Sequence, residues 1–326
     1  MKISNDFEKI AKKSKRKNRL KTVLISTLAA LLSLLLIVRG LTKLASYNGN
    51  KVSQHYLLMS EIAYPNISYN DWYFTATSSF SGQFQSNRFK NIDGIEVPYE
   101  DMKANYSLRL HDLGDSNVWL TTSTDGKSSY THGNYYKSPM FFNVNHKVSK
   151  DDFYKSTKDI KLAAQMPNQA VEMAITFDKP YTYEEIQKLI PKNLTINWYW
   201  IGSQSDFNTA GLTSDTQLGI SVYDGQALTS NDFVRFRDNL RKAINQSYLK
   251  STYGYTKNNK EESSFSLQED ATTYLAKNKN FKSAKFSGLI LTGRSENFAQ
   301  LENASWIYAS NLGQSVQIQP YHKLDK

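Results

Sequence analysis

The side chains best suited to chemistry are few and poorly placed for it. The imidazoles are His55, His111, His132, His146 and His322. No two have the spacing of metal ligands on one helix, and no H-E-x-x-H motif is present. The chain has no cysteine, which excludes thiolate zinc sites, disulfides and a lipid-modified cysteine anchor. Neither a G-x-S-x-G elbow nor a G-x-x-x-x-G-K-[ST] phosphate loop occurs. Glu184-Glu185 and Asp151-Asp152 are adjacent carboxylates at the starts of expected helices. Capping and the helix dipole account for acids there. His111-Asp112 reads as an ordinary exposed pair. The residues therefore predict no catalytic group, no metal and no cofactor.

Binding is the remaining chemistry. Leu194–Ile201, "LTINWYWI", reads as a strand. Strict alternation places Leu194, Ile196, Trp198 and Trp200 on one face, with Asn197 and Tyr199 on the other. Two readings stay open. One is core packing with a half-buried Tyr199. The other is an aromatic platform on which Tyr199 meets an unidentified extracellular ligand, a glycan or a peptide.

Charge then locates the membrane. The formal net charge is +10, of which residues 1–43 supply +9. The remaining body is nearly neutral, so nucleic acid is disfavoured as a partner. Lys12, Lys13, Lys15, Arg16, Lys17, Arg19 and Lys21 precede Thr22–Val38, "TVLISTLAALLSLLLIV", 17 residues without charge, Pro or Gly. That run spans roughly 26 Å as a helix, close to the ~30 Å hydrocarbon core, and flanking bases can snorkel. The basic flank predicts a cytoplasmic N-terminus, contact with anionic membrane lipid and an extracellular C-terminal body. The charged start and the apolar run are both long for a cleaved signal peptide, so an uncleaved anchor is expected. Phe7 and Ile10 on the basic tail could contact a cytoplasmic partner.

Behind the anchor, Leu41–Asn50 reads as a polar connector. Val52, Tyr56, Met59 and Ile62 give a helix over Lys51–Ala63, ended by Pro65. The stretch from Ile67 to Val148 reads as β, with hairpin turns at Asp93-Gly94 and Asp125-Gly126, the second flanked by Val118–Thr124 and Ser128–Tyr136. From Ser149 the pattern is mixed. A helix is expected over Asp151–Ala164, opened by Ser149-x-x-Asp152, and a strand over Val171–Phe177. The capping box Thr182-x-x-Glu185 opens a short helix before the aromatic strand. A second run of elements lies beyond that strand. It comprises an amphipathic helix over Ser230–Ser247, a charged loop over Lys257–Ser263, a helix capped by Ser266, a central strand Gly288–Gly293, a short helix Ser295–Leu301 and a strand Trp306–Ala309. The predicted fold class is α+β, with one N-terminal transmembrane helix, a β-rich membrane-proximal domain and a C-terminal α/β sandwich-like domain of β-α-β units. The boundaries fall at 1–21, 22–40, 41–148 and 149–326.

Four segments carry a family likeness. Val171–Gly202, "VEMAITFDKPYTYEEIQKLIPKNLTINWYWIG", resembles the C-terminal domain of the sigma factor regulator family, and Gly288–Gly313 resembles its end. Lys12–Ser26 and Asn91–Glu100 are similar to the family's N-terminal domain. The resemblance implies a membrane-anchored protein of Gram-positive bacteria, akin to anti-sigma factors for extracytoplasmic-function sigma factors and acting in envelope-stress signalling. It implies no enzymatic activity. The implied partner is a sigma factor, met by the short tail directly or through a second membrane protein. A cell-surface binding module without a signalling role is the alternative.

Overall fold

The computed structural model describes residues 2–109, 136–148, 152, 155–222, 225–250, 252–257 and 260–326. The expected strand Val118–Thr124, its Asp125-Gly126 turn, His111, His132 and the Ser149 helix start lie outside the described residues. The described chain is α+β, with one helix long and apolar enough to cross a membrane.

That helix, α1, runs unbroken over Lys2–Met59. The expected connector at Leu41–Asn50 is thus helical. It contains no Pro, and its last turns gain a packed face, which overrides weak local propensity. Leu24, Leu31 and Leu35 of the apolar run are exposed, whereas Ala45, Val52, Tyr56 and Met59 are buried at helical spacing.

The chain forms two compact units, and α1 contributes to both. The first takes the chain up to Val52, with Phe74–Phe84 and the residues from Asn105. There Asn48 Nδ2 donates to the Ser107 carbonyl at 2.7 Å. Gly49 lets the Tyr106 ring approach, since a Cβ at that position would lie 3.1 Å from it. Phe74 packs on Phe84 and Tyr106, with centroids 4.8 and 5.8 Å away.

The second unit takes Ser53–Tyr73, Gln85–Ala104 and the described remainder. Strands β1 (Ser68–Ser78), β2 (Ser81–Ile92) and β3 (Ile95–Tyr106), each with residues assigned to both units, form a sheet in that order. The β2–β3 hairpin turns on Asp93 and Gly94, at φ 56° and 84°. Two consecutive left-handed residues are what a two-residue hairpin requires, and Asp-Gly supplies them at low cost.

A five-stranded antiparallel sheet is the centre of this unit. Its strands are β4 (Gln169–Thr182), β5 (Thr195–Trp200), β6 (Gly219–Ser221), β9 (Lys285–Arg294) and β10 (Ile307–Gln317), in the order β10-β4-β9-β5-β6. Each expected β-α-β unit is split. β9 lies between β4 and β5, and β4 lies between β9 and β10, so the two units interleave. Helix α3 (Tyr183–Leu189) joins β4 to β5, and a 3-10 segment over Ser295–Leu301 joins β9 to β10. Between the halves come α4 (Ser230–Asn245), the hairpin β7–β8 (Thr252–Lys257, Lys260–Ser266) and α5 (Leu267–Lys277). The charged loop expected over Lys257–Ser263 is therefore largely strand, with Thr256 paired to Glu261 and Lys257 to Lys260. Of the helix expected over Asp151–Ala164, only α2 (Ile160–Ala163) is helical among the described residues.

The helices cover one face of the sheet. Val171, Met173, Ile175 and Phe177 of β4 pack with Phe233, Phe236 and Leu240 of α4 and with Ala271 and Tyr274 of α5. The two expected caps that fall on described residues close their helices: Thr182 Oγ1 accepts from the Glu185 N–H, and Ser266 Oγ from the Glu269 N–H. The opposite face holds Ala174, Trp198, Trp200 and Ile290 under Phe141.

Candidate functional site

The sheet does not alternate as the sequence suggests. β5 pairs Ile196 with Leu291 and Trp198 with Ile290 of β9, so Asn197 is an extra residue in the ladder. A bulge of this kind reverses the parity of the residues after it. Leu194, Ile196, Tyr199 and Ile201 consequently share the helix-covered face, while Trp198 and Trp200 take the other. Tyr199 is 2 % exposed, and its hydroxyl accepts from Gln187 Nε2 at 3.1 Å. Burial also raises its pKa. Of the two readings of the aromatic strand, the structure takes core packing, with Tyr199 fully rather than half buried, because the bulge turns the ring onto the helix-covered face.

The same bulge sends the Asn197 amide to a polar junction. Its Nδ2 donates to Asn66 Oδ1 at 2.9 Å and to the Asn91 carbonyl at 2.8 Å, while its Oδ1 accepts from Thr292 Oγ1 at 2.9 Å. Asn66 sits at φ 52°, a conformation that Asn tolerates better than most residues. Asn66 Nδ2 donates to Glu172 Oε1 at 2.8 Å. Lys90 Nζ donates to Glu172 Oε2 at 2.7 Å and to the Lys137 carbonyl at 2.7 Å. The Lys90 and Glu172 side chains are both 0 % exposed. Burial lowers the Lys90 pKa, and the attraction of Glu172 opposes that shift. Glu172 Oε2 also accepts from the Gln314 N–H at 3.1 Å. Strands β2, β4, β5, β9 and β10 thus all contribute to one buried network.

Above the junction is an open cleft of about 460 Å³. Asn66, Asn91 and Asn197 line its floor, and Tyr69, Trp72 and Phe89 its aromatic side. Asp71, at φ 52°, breaks the alternation of β1. Residues i and i+3 of a regular strand point to opposite faces, yet Tyr69 and Trp72 stack here, 4.7 Å apart and 11° from parallel. Glu61, Glu96, Ser68 and Ser221 line the cleft too; Arg235 Nε lies 3.8 Å from Glu61 Oε2, and the Arg88 guanidinium lies over the Tyr69 ring, 5.7 Å from its centroid. No sequence motif marks this cleft, since its residues come from five separate segments. Among the described residues no group of acids and histidines could hold a metal.

The β2–β3 turn holds a carboxyl group whose pKa is raised. Asp93 is buried; its Oδ1 accepts from the Lys326 N–H at 3.1 Å, and its carbonyl accepts from the Asp325 N–H. Burial, chiefly, raises its pKa from 3.8 to about 6. The folded state therefore binds the Asp93 proton more tightly than the unfolded chain does. Stability contributed by this group is present below pH 4 and is lost as pH rises towards 6, on the order of 2–3 kcal/mol. Asp93→Asn suits the left-handed backbone and should remove this loss. Unfolding curves of the two proteins should converge at pH 4 and separate by pH 7, with the variant the more stable. Parallel curves would refute the assignment.

On α1, Phe7 and Ile10 are 71 % and 65 % exposed, and Lys12, Lys13, Lys15, Arg16, Lys17, Arg19 and Lys21 are exposed as well. These residues share the helix with the apolar run. Residues 8–97 match the family model described as Sigma factor regulator N-terminal, and residues 162–314 match Sigma factor regulator C-terminal. The comparisons with curated proteins and with solved structures gave no match. One model covers the apolar helix and the first hairpin, the other all but the tips of the interleaved sheet, and together they take in about three quarters of the chain. With the anchor-type helix and the sheet each matched by its own half of one family, the chain belongs to the sigma factor regulators.

Proposed function

We propose that the protein is a single-pass membrane regulator with its basic end in the cytoplasm and its folded body outside, coupling the state of that body to an extracytoplasmic-function sigma factor. The observation that carries this is the asymmetry of α1. Seven bases lie immediately before the apolar run, whereas Arg39 and Lys43 are the bases just beyond it. That distribution favours retention of the basic end in the cytoplasm. The continuity of α1 from the tail to Met59 supports a covalent route for the signal. Signalling further requires that an outside ligand distinguish two states energetically. On the cytoplasmic side the exposed Phe7 and Ile10 offer the tail's apolar contacts, to a sigma factor or to a second membrane protein that holds one.

Photo-crosslinking residues placed at Phe7 and at Ile10 in the full-length chain test this in cells. The expected adduct contains an identified sigma factor, or a membrane protein that itself retains one. Phe7→Ala/Ile10→Ala should change output from a sigma-dependent promoter by several-fold. Absence of such an adduct, together with unchanged promoter output, would end the proposal.

A further inference from the structure

We propose that a second cavity, where β4 loops away from β9, is a phosphate site that seats a phosphate monoester or diester between Lys179 and Lys277. The register of the sheet itself opens this cavity. β4 pairs Thr176 with Gly288 and Tyr181 with Phe286 of β9, so residues 177–180 stand opposite Ser287 alone. Pro180 has no N–H to offer the ladder, and the looped-out stretch brings Lys179 to the cavity wall. The volume is about 240 Å³, below the ~300 Å³ at which pockets for drug-sized ligands begin. A small polyatomic ion suits that space better than a whole sugar or peptide.

The lining is rich in hydrogen-bond donors. Lys277 Nζ gives one N–H to Gln204 Oε1 at 3.0 Å and keeps the rest of its ammonium donors. Lys179 Nζ lies 5.5 Å from the centroid of the Tyr181 ring, and its N–H groups have no acceptor among the described residues. Asn145 Nδ2, Gln204 Nε2 and the Ser287 hydroxyl likewise donate to none of the described residues, and all three residues line the cavity. No carboxylate lines it, and the acids near the two lysines are engaged elsewhere. Glu185, which attracts both Lys179 and Lys285, accepts from the Thr182 N–H and hydroxyl at 2.7 and 2.9 Å. Asp178 Oδ1 accepts from the Tyr181 hydroxyl at 2.8 Å. Asp270, which attracts Lys277, is buried and accepts from the Gln204 N–H at 3.1 Å and from the Ser203 hydroxyl. Lys277, Lys279, Lys282 and Lys285 then succeed one another with no acid among them, so that segment brings only positive charge towards an approaching anion. A carboxylate ligand offers two oxygens in one plane, whereas a phosphate offers oxygens in a tetrahedron. Donors drawn from five separate stretches of chain match the tetrahedral ion, and contacts to its charged oxygens are the strong kind. This site belongs to the folded body and stands apart from the sigma-factor reading.

The test uses the full chain in detergent micelles at low salt, with calorimetric titration of inorganic phosphate, of glycerophosphoglycerol and, separately, of acetate. Saturable binding of phosphate or of the diester is expected. Binding of the diester alone would assign the group to a lipid headgroup or a polymer, and binding of phosphate alone to the free ion. Lys179→Gln/Lys277→Gln should weaken that binding by roughly tenfold or more, through loss of two charge-assisted contacts. Both side chains are exposed, so the fold should survive, and thermal unfolding of the variant verifies it. Lys188→Gln/Lys192→Gln removes the same charge from exposed positions outside the cavity lining and should leave binding unchanged. No saturable binding of either phosphate compound, or binding untouched by Lys179→Gln/Lys277→Gln, as an ion held by the basic tail would be, overturns the proposal. Equal losses in the two double variants overturn it as well, by showing a general charge effect. Acetate bound as tightly as phosphate does so too, by marking a carboxylate site. Because no sigma factor enters the assay, its failure is separable from failure of the cytoplasmic crosslink.

Discussion

Replacing Glu172 by Ala is expected to lower stability by about 3–5 kcal/mol, the usual cost of stripping one partner from a buried ion pair. Three groups lose their acceptor at once: Lys90 Nζ, Asn66 Nδ2 and the Gln314 N–H. The Lys137 carbonyl then stands alone beside a buried ammonium. Lys90→Met should cost a similar amount, by leaving a carboxylate in the same position. The double variant Lys90→Met/Glu172→Leu buries no charge, so its loss should fall short of the sum of the singles by at least about 2 kcal/mol. Thermal or urea unfolding of the detergent-solubilised chain measures all three. If the single costs simply add, the pair is not coupled and this account of the junction fails. The prediction bears on function because Asn66 and Asn197 link the pair directly to the cleft floor.

The second large effect concerns orientation. Replacing Lys12, Lys13, Lys15, Arg16, Lys17, Arg19 and Lys21 with Gln leaves Lys2 and Lys9 against Asp6 and Glu8 on that side. Counted as Lys and Arg near the span, the far flank then holds Arg39, Lys43 and Lys51 against Lys9 and the more distant Lys2. Orientation is set by the Lys/Arg bias close to the span, so a majority of molecules should insert with the body in the cytoplasm. Protease added to intact cells reads this out. It should digest the body of the parent protein and spare that of the variant. Full protection of the parent body would reverse the proposed topology, and equal digestion of both would show that these bases do not set it.

What was legible in the sequence is what neighbouring residues decide between themselves. The charge step at Lys21 and Thr22 needs no fold to be read. Thr182 and Glu185 stand three apart in a capping box that closes within one turn, and Asp93-Gly94 supplies its own left-handed angles. Phe233, Phe236 and Leu240 lie on one stripe because helical period alone puts them there, and all three are buried. The resemblance carried by Val171–Gly202 likewise falls inside the matched C-terminal region.

Only the tertiary structure decided where the aromatic strand faces. A β-bulge is a count between two strands, and β5 meets β9 about ninety residues later, so no local pattern announces that Asn197 is the extra residue. That single insertion moved Tyr199 from candidate surface to core and aimed the Asn197 amide at Asn66. The left-handed Asp71 likewise brought Tyr69 and Trp72 together against the period of their own strand. Lys90 and Glu172 read as ordinary charged residues in the sequence. Their burial became visible only once β2 and β4 were in place, because the free energy that keeps two charges out of water lies in partners far along the chain.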